Sequence, residues 1–310
     1  MKLLIAGDIY ISDEQRRESL IDSTIIDVFQ KVDYRIVNLE APITSISPTG
    51  RILKTGPHLQ TSQKTIIPYL NELRVDLVTL ANNHIMDYGV DGLVETINTL
   101  QDNNIGHVGA GNNLLEAQRP VTIIKDGLKV AILNFAENEW SIASDDSPGC
   151  NPLDVIDNVN QIQMYKATHD KVICIIHGGH EYYHMPSPRM VKQYRFYVDS
   201  GADAIIGHHT HCIGGYENYS NAPIVYSLGN MLFTKYSKHQ DWYEGLIVIF
   251  DIQKEKPISL ELSPVQQSVL TYRCSLANES KSVSILNRVE EISACLQNDV
   301  ELEKAWQEYA

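Results

Sequence analysis

The chain has 310 residues, enough for one large α/β domain or two smaller ones, and its 43% hydrophobic and 21% charged content is that of a soluble globular protein. The formal net charge is −14 and there is no basic run, which argues against non-specific nucleic-acid binding, because phosphate contacts need clustered Lys and Arg. An anionic substrate stays possible, since bound divalent cations reverse the local field.

Five cysteines, Cys150, Cys174, Cys212, Cys274 and Cys295, form no C-x-x-C pair, so a reducing compartment is expected. The apolar run Leu3–Ala6 is too short for a signal peptide or a membrane span. It reads as a buried strand ending in Gly7-Asp8, in a cytoplasmic protein with no visible membrane anchor. Further short runs follow in order. Residues 35–39 end in Glu40-Ala41-Pro42, 76–80 in Ala81-Asn82-Asn83-His84, and 172–176 in His177-Gly178-Gly179-His180. Residues 204–206 end in Gly207-His208-His209-Thr210-His211, and 224–228 in Gly229-Asn230. Val- and Ile-rich runs of this length predict strands buried on both faces. Between them, residues 89–100 place Val90, Leu93, Val94, Ile97 and Leu100 on one helical face, and 188–200 open on a proline, as helices do. Strands alternating with helices predict an α/β fold. Residues 44–61 and 137–152 read as loops able to act as lids or specificity elements. Residues 281–309 read as one or two surface helices, with Ile285, Leu286, Val289, Ile292 and Leu296 packed on the domain or in an oligomer contact. The expected division is a main domain over 1–252 and a C-terminal extension over 253–310.

The polar residues fall in a telling place. Asp8, Glu40, Asn83, His84, His177, His209 and His211 each follow a predicted strand directly, and the C-terminal ends of strands line the ligand crevice of α/β sheets. Each alone has an ordinary structural explanation: a hydrogen-bonded His, a turn-capping Asp, an Asn in left-handed backbone. His209 and His211, two apart on a segment expected to be extended, would send both rings to one side, and His208 to the other, in a structural role. Taken jointly, mixed carboxylate and imidazole donors suit one or two divalent ions such as Mn, Fe or Zn.

The order of these residues resembles the calcineurin-like metallophosphoesterase series: an Asp after the first strand, a second acid, Asn-His, His, then G-H-x-H. More closely, the stretches Asn38–Thr44, Ala81–His84 with Asp87 and Gly89, Gly201–Asp203 leading to Gly207–His211, and Tyr226–Asn230 resemble the bacterial capsule-synthesis CapA (poly-γ-glutamate synthesis) family, over about Lys2 to Asp251. The match departs at Tyr10, where metallophosphoesterases usually have His, and at Glu40, where they have Asp. It departs again at Gly178, where the family's H-W-G-x-E-Y stretch has Trp.

This resemblance implies a four-layer αββα sandwich. It implies that Asp8, Glu40 and His211 hold one metal, and that Glu40, Asn83, His177 and His209 hold the other, with Glu40 bridging. His84 would act on the transferring phosphoryl group, with Asp87 orienting its ring. His180, Glu181 and Asn230 are candidate substrate contacts, and Arg51 and Lys54 could meet an anionic small-molecule or polymer substrate. The expected activity is phosphomonoester or phosphodiester hydrolysis by a metal-bound hydroxide. The rival expectations are a metal-dependent amide hydrolase, or an assembly factor for a capsule or poly-γ-glutamate-like polymer.

Overall fold

A computed structural model describes residues 1–16 and 19–310. The first third alternates strand and helix: β1 (Lys2–Tyr10), α1 (Ser23–Gln30), β2 (Tyr34–Leu39), α2 (Gln63–Glu72), β3 (Leu77–Thr79), α3 (Gly89–Asp102) and β4 (Gly106–Val108). These four strands run parallel. Next come β5 (Ala110–Gly111), α4 (Leu114–Ala117), β6 (Val121–Lys125), β7 (Leu128–Ala136), β8 (Gly149–Cys150), α5 (Val155–Lys166), β9 (Lys171–His177), α6 (Pro188–Asp199) and β10 (Ala204–His208). The remainder is β11 (Tyr216–Tyr219), β12 (Ala222–Val225), β13 (Asn230–Phe233), β14 (Glu244–Asp251), β15 (Ser259–Gln267), β16 (Cys274–Leu276), α7 (Glu279–Cys295) and α8 (Asp299–Tyr309).

One sheet has the order β16-β15-β14-β1-β2-β3-β4, with β13 also paired to β1, and the other has the order β11-β12-β10-β9-β7-β6. Three apolar layers show how they stack. Ile25, Phe29, Ile66, Leu70, Leu93 and Leu100 of α1, α2 and α3 pack on one face of the first sheet. Leu3, Ile5 and Ile36 of that sheet meet Val130, Ile132, Ile173 and Ile206 of the second. Ile162, Val191, Tyr194, Tyr197 and Leu302 of α5, α6 and α8 cover the outer face of the second sheet. This is the αββα sandwich that the family resemblance implied. Both sheets are buried on both faces, which explains why their strands read as continuous apolar runs.

Local signals set the helix starts. Ser187 accepts from the Met190 N–H with Pro188 in the first turn, and Asp22, Asp154, Asn278 and Asn298 cap α1, α5, α7 and α8. Three expectations need correction. Val90 is 45% exposed, so the α3 stripe begins at Leu93. The strand expected over 224–228 stops at Val225, and after Tyr226–Leu228, Gly229 at φ 64° turns the chain into β13. The segment 137–152 is not wholly loop, since Gly149 and Cys150 pair with β5. Residues 253–310 contribute β15 and β16 to the first sheet before α7 and α8 pack on its edge and beyond.

Candidate metal centre

The site forms where the C-terminal ends of the parallel strands of both sheets converge. Asp8 is not past β1, as expected, but within it. A register irregularity between Asp8 and Ile9 lets β1 continue to Tyr10 alongside β13, with Asp8 opposite both Asn38 and Asn230. Gly7 makes this possible. A Cβ there would lie 2.1 Å from the Gly229 carbonyl oxygen, the oxygen that accepts the Asp8 N–H at 3.2 Å. Glu40 follows β2, His177 ends β9, and His208 ends β10 opposite it.

The expectation of an extended H-x-H segment fails. His209 and His211 both have positive φ, 93° and 55°, in a tight bend after β10. Their rings lie 6.3 Å apart and serve different neighbours. His209 Nδ1 is 3.1 Å from His177 Nε2, whereas His211 Nε2 is 3.5 Å from Glu40 Oε1 and His211 Nδ1 is 3.7 Å from Asp8 Oδ2. Two sets of donor atoms each gather within 4.8 Å: Glu40, His177 and His209 in one, and Asp8, Glu40 and His211 in the other. Glu40 belongs to both. Asn83 Oδ1 lies 3.2 Å from His177 Nε2, beside the first set.

Glu40 carries the strongest signal. Both of its carboxylate oxygens are buried and, among the described residues, neither has a hydrogen-bond partner. A buried carboxylate with no donor is costly, and a cation would remove the deficit. The electrostatics agree. Burial, then the neighbouring Asp8, push the Glu40 carboxyl well above its ordinary range. Burial would raise Asp8 too, but the hydrogen bond and charge of His208 outweigh it and hold Asp8 well below. Burial keeps His177 and His209 neutral, His209 at about 3, with the neighbouring imidazoles adding to the effect. Neutral imidazole is the form that binds metals.

A surrounding layer fixes these donors. Asp8 Oδ1 accepts from Asn38 Nδ2 at 2.8 Å and contacts His208 Nδ1 at 2.9 Å, and Thr79 in turn donates to Asn38 at 3.0 Å. His208 thus takes a supporting position behind Asp8. His211 Nδ1 meets Asn230 Oδ1 at 2.9 Å, and Asn230 donates to the Trp242 carbonyl at 3.0 Å. Asn230 therefore braces a candidate ligand. The ring of Trp242, at 4.4 Å, also packs on His211.

His84 and Asp87 meet as expected, with Nδ1 to Oδ2 at 2.7 Å. The Leu59 N–H donates to the same Oδ2 at 2.7 Å, and Lys54 pairs with the other carboxylate oxygen. The Lys54 side chain is only 2% exposed and its Nζ lies 3.3 Å from His84 Nδ1, so its charge is engaged by Asp87 instead of facing solvent. Arg51 is exposed and donates to the Tyr88 hydroxyl at 3.0 Å. His180 lies edge-on to Trp306 of α8 at 4.7 Å. Glu181 is exposed, and its charge acts on Glu40. Tyr10, which stands where the metallophosphoesterase series has His, packs against Phe233 at 5.1 Å.

Four residues escaped the sequence reading. Asn38 carried a signal, since it lies two residues before Glu40 and so on the same side of an extended chain. Glu139, 3.9 Å from His209 Nε2, Trp242 and Lys235 arrive from loops or strand ends and carried none.

Comparison with known proteins extends this picture. The family model for the bacterial capsule synthesis protein PGA_cap matches residues 2–235. The chain is 30% identical over 258 residues to the PGA biosynthesis protein CapA of Bacillus subtilis, covering 81% of this chain and 66% of that protein. It is 34% identical over 182 residues to the capsule biosynthesis protein CapA of Bacillus anthracis, covering 57% of this chain and 44% of that one. It thus spans between under half and two thirds of these relatives' lengths. Among solved structures, a hypothetical protein from Thermus thermophilus aligns with a TM-score of 0.55 at 14% identity, over 85% of this chain and 98% of that one. A 5'-nucleotidase from Candida albicans aligns with a TM-score of 0.50 at 12% identity, over 96% and 58%. At these identities the structural likeness establishes the fold.

Proposed function

Because the chain belongs to the PGA_cap family of bacterial capsule synthesis proteins, and because the oxygens of Glu40 stand unpartnered between two sets of donors, we propose that it is a metal-dependent hydrolase of phosphoesters. The residues fit the cofactor: two carboxylates and three imidazoles suit Mn, Fe or Zn. Asp8, Glu40 and His211 would hold one ion, and Glu40, His177, His209 and Asn83 the other. Such ions, when bound, supply Lewis-acid charge and acidify water.

The protein's own groups do the rest. Asp87 accepts from His84 Nδ1, which leaves Nε2 as the nitrogen able to exchange a proton with the substrate. Lys54 and the Leu59 N–H keep the Asp87 carboxylate in place, so the His84 ring is held before substrate arrives. Asn38, His208 and the His209 N–H orient Asp8.

Purified protein should retain or take up one to two transition-metal ions per chain by elemental analysis, and should hydrolyse a generic phosphomonoester or phosphodiester with Mn²⁺. Absence of both would overturn the proposal. The relatives named for biosynthesis of capsule or PGA favour a second reading, in which the same centre cleaves an amide. Turnover of a γ-glutamyl amide, with none on any phosphoester, would put that reading first.

A further inference from the structure

The site holds at least three acidic groups, Asp8, Glu40 and Glu139, with Glu181 nearby, yet its two sequence-predicted cations are occupied. Lys54 is bound to Asp87 and Arg51 to Tyr88. A third cation, Lys235, lies two residues beyond Phe233, the end of β13. The Phe233 ring packs on His211 at 5.0 Å and on Trp242 at 4.9 Å. The backbone on both sides of Lys235 is pinned. The Thr234 N–H donates to the Tyr10 carbonyl at 2.9 Å, and the Thr234 hydroxyl accepts from the Ser12 N–H at 2.8 Å. Ser237 exchanges two hydrogen bonds with the Tyr243 hydroxyl, at 2.9 and 3.0 Å. Between these anchors Lys235 is partly buried, and among the described residues it makes no hydrogen bond or ion pair.

An ammonium with no protein partner on a partly buried side chain is available to pair with an anion that enters from solvent. Burial does lower its proton affinity, against the opposing fields of Glu181 and Glu40 and alongside that of Lys54. Lys235 lies just beyond β13, whose Asn230 meets His211 Nδ1 and whose Phe233 ring packs on the same imidazole, so Lys235 leaves the sheet at the edge that carries the metal centre. Unpaired charge held on a rigid backbone beside a catalytic cleft is a mark of ligand recognition.

We propose that Lys235 is a specificity-determining residue that binds a second anionic group of the substrate, a carboxylate or phosphate separate from the group held at the metal centre. The substrate class is therefore an at least doubly anionic one: a phosphoester, or in the second reading an amide, bearing a further acid. This rests on the hydrolase reading for the position of the reacting group, while the ion pair at Lys235 is a separate claim.

The test uses binding, not turnover. The Mn²⁺-loaded full chain is titrated calorimetrically with methylphosphonate, which offers only a head group. It is then titrated with 3-phosphonopropionate and 4-phosphonobutyrate, which add a carboxylate on a flexible arm. At least one carboxylate-bearing probe should bind wild type about tenfold tighter than methylphosphonate. Lys235→Met should close that gap to within about twofold while metal content and methylphosphonate affinity stay unchanged, and Lys235→Arg should keep most of it. An equal gap in wild type and Lys235→Met, or no gap in wild type, overturns the role of Lys235. If methylphosphonate itself fails to bind the metal-loaded chain, the hydrolase reading falls and this inference falls with it.

Discussion

Glu40 sits with both carboxylate oxygens buried and unpartnered, beside Asp8. Burial and Asp8 already disfavour the charged form of Glu40 in metal-free protein, and Glu40→Gln keeps a neutral side chain of the same size, so the metal-free variant should melt no lower than wild type. In wild type, Mn²⁺ or Zn²⁺ at a hundredfold excess over its dissociation constant should add about 2.7 kcal/mol of stability, seen as a rise in Tm. In Glu40→Gln that rise should vanish, and a variant that keeps it would remove Glu40 from the centre. The proposed hydrolase reading gives His84 and His177 different tasks. His84 contacts Asp87 and Lys54, not the donor sets, so His84→Ala should keep metal content near wild type and lower turnover by about 10²–10⁴-fold. His177→Ala should lose metal and activity together. Equal metal loss in the two variants would show that His84 is a ligand. Behind Asp8, His208→Ala should weaken metal affinity by about 10–100-fold, as removal of a group supporting a ligand does. Unchanged affinity in a metal-binding titration would make His208 a bystander.

Elements bring these residues together by close approach and by clamps between distant segments. His184, in the segment that leads from β9 to α6, places Nδ1 2.8 Å from the Ile213 carbonyl and Nε2 3.0 Å from Asp241 Oδ2. Both ring nitrogens therefore face acceptors, which is the pattern of an imidazolium. Burial alone would lower its pKa, but Cys212, the Ile213 carbonyl and Asp241 outweigh it and raise it to about 9, from an ordinary 6.5. Because the folded-state value is the higher one, the stabilisation is complete below about pH 6.5 and is lost as pH rises through 9. Thermal stability should therefore fall across that interval, by roughly 1–3 kcal/mol, and His184→Gln should flatten the slope. An unchanged slope in the variant would assign the fall to other groups. Asp241 is also held by Arg288 of α7 at 2.9 Å, so the contact ties α7 to the turn that carries Trp242 against His211.

At the scale of the molecule, α7 and α8 are part of the core. Ile285 and Val289 enter the layer between the sheets, and Leu296 and Leu302 enter the layer outside the second sheet. Burying such side chains contributes about 1.5–3 kcal/mol each, so the four together rival the roughly 5–15 kcal/mol net stability of an ordinary domain. A chain ended at Ala277 should lose its cooperative thermal transition and bind a hydrophobic dye, and a sharp transition at the wild-type temperature would show the helices to be dispensable. Tyr183 stacks on Tyr309 at 3.9 Å and donates to the Ala305 carbonyl at 2.9 Å, which places α8 against the segment that follows His177. No helix among the described residues is long and apolar enough to cross a membrane.

That acidic and imidazole residues would cluster at one edge was legible in the sequence, because their chemistry is stated by residue type and their position by the apolar runs before them. A strand buried on both faces is apolar over most of its length, so the polar residues near its end stand out, although Asp8 proves to lie within β1. The alternation of strands and helices likewise predicted the α/β class, while the layering came only from the family resemblance. Tertiary structure decided what connects across the chain. Asp8 and His208 are 200 positions apart yet share a hydrogen bond, and Lys54 and Asp87 meet from separate loops. The positive φ of His209 and His211 replaces an extended H-x-H with a bend that gives each ring its own donor set. Which lysine is neutralised and which stays free was likewise invisible, because an ion pair depends on loop paths through space, and no local periodicity encodes them.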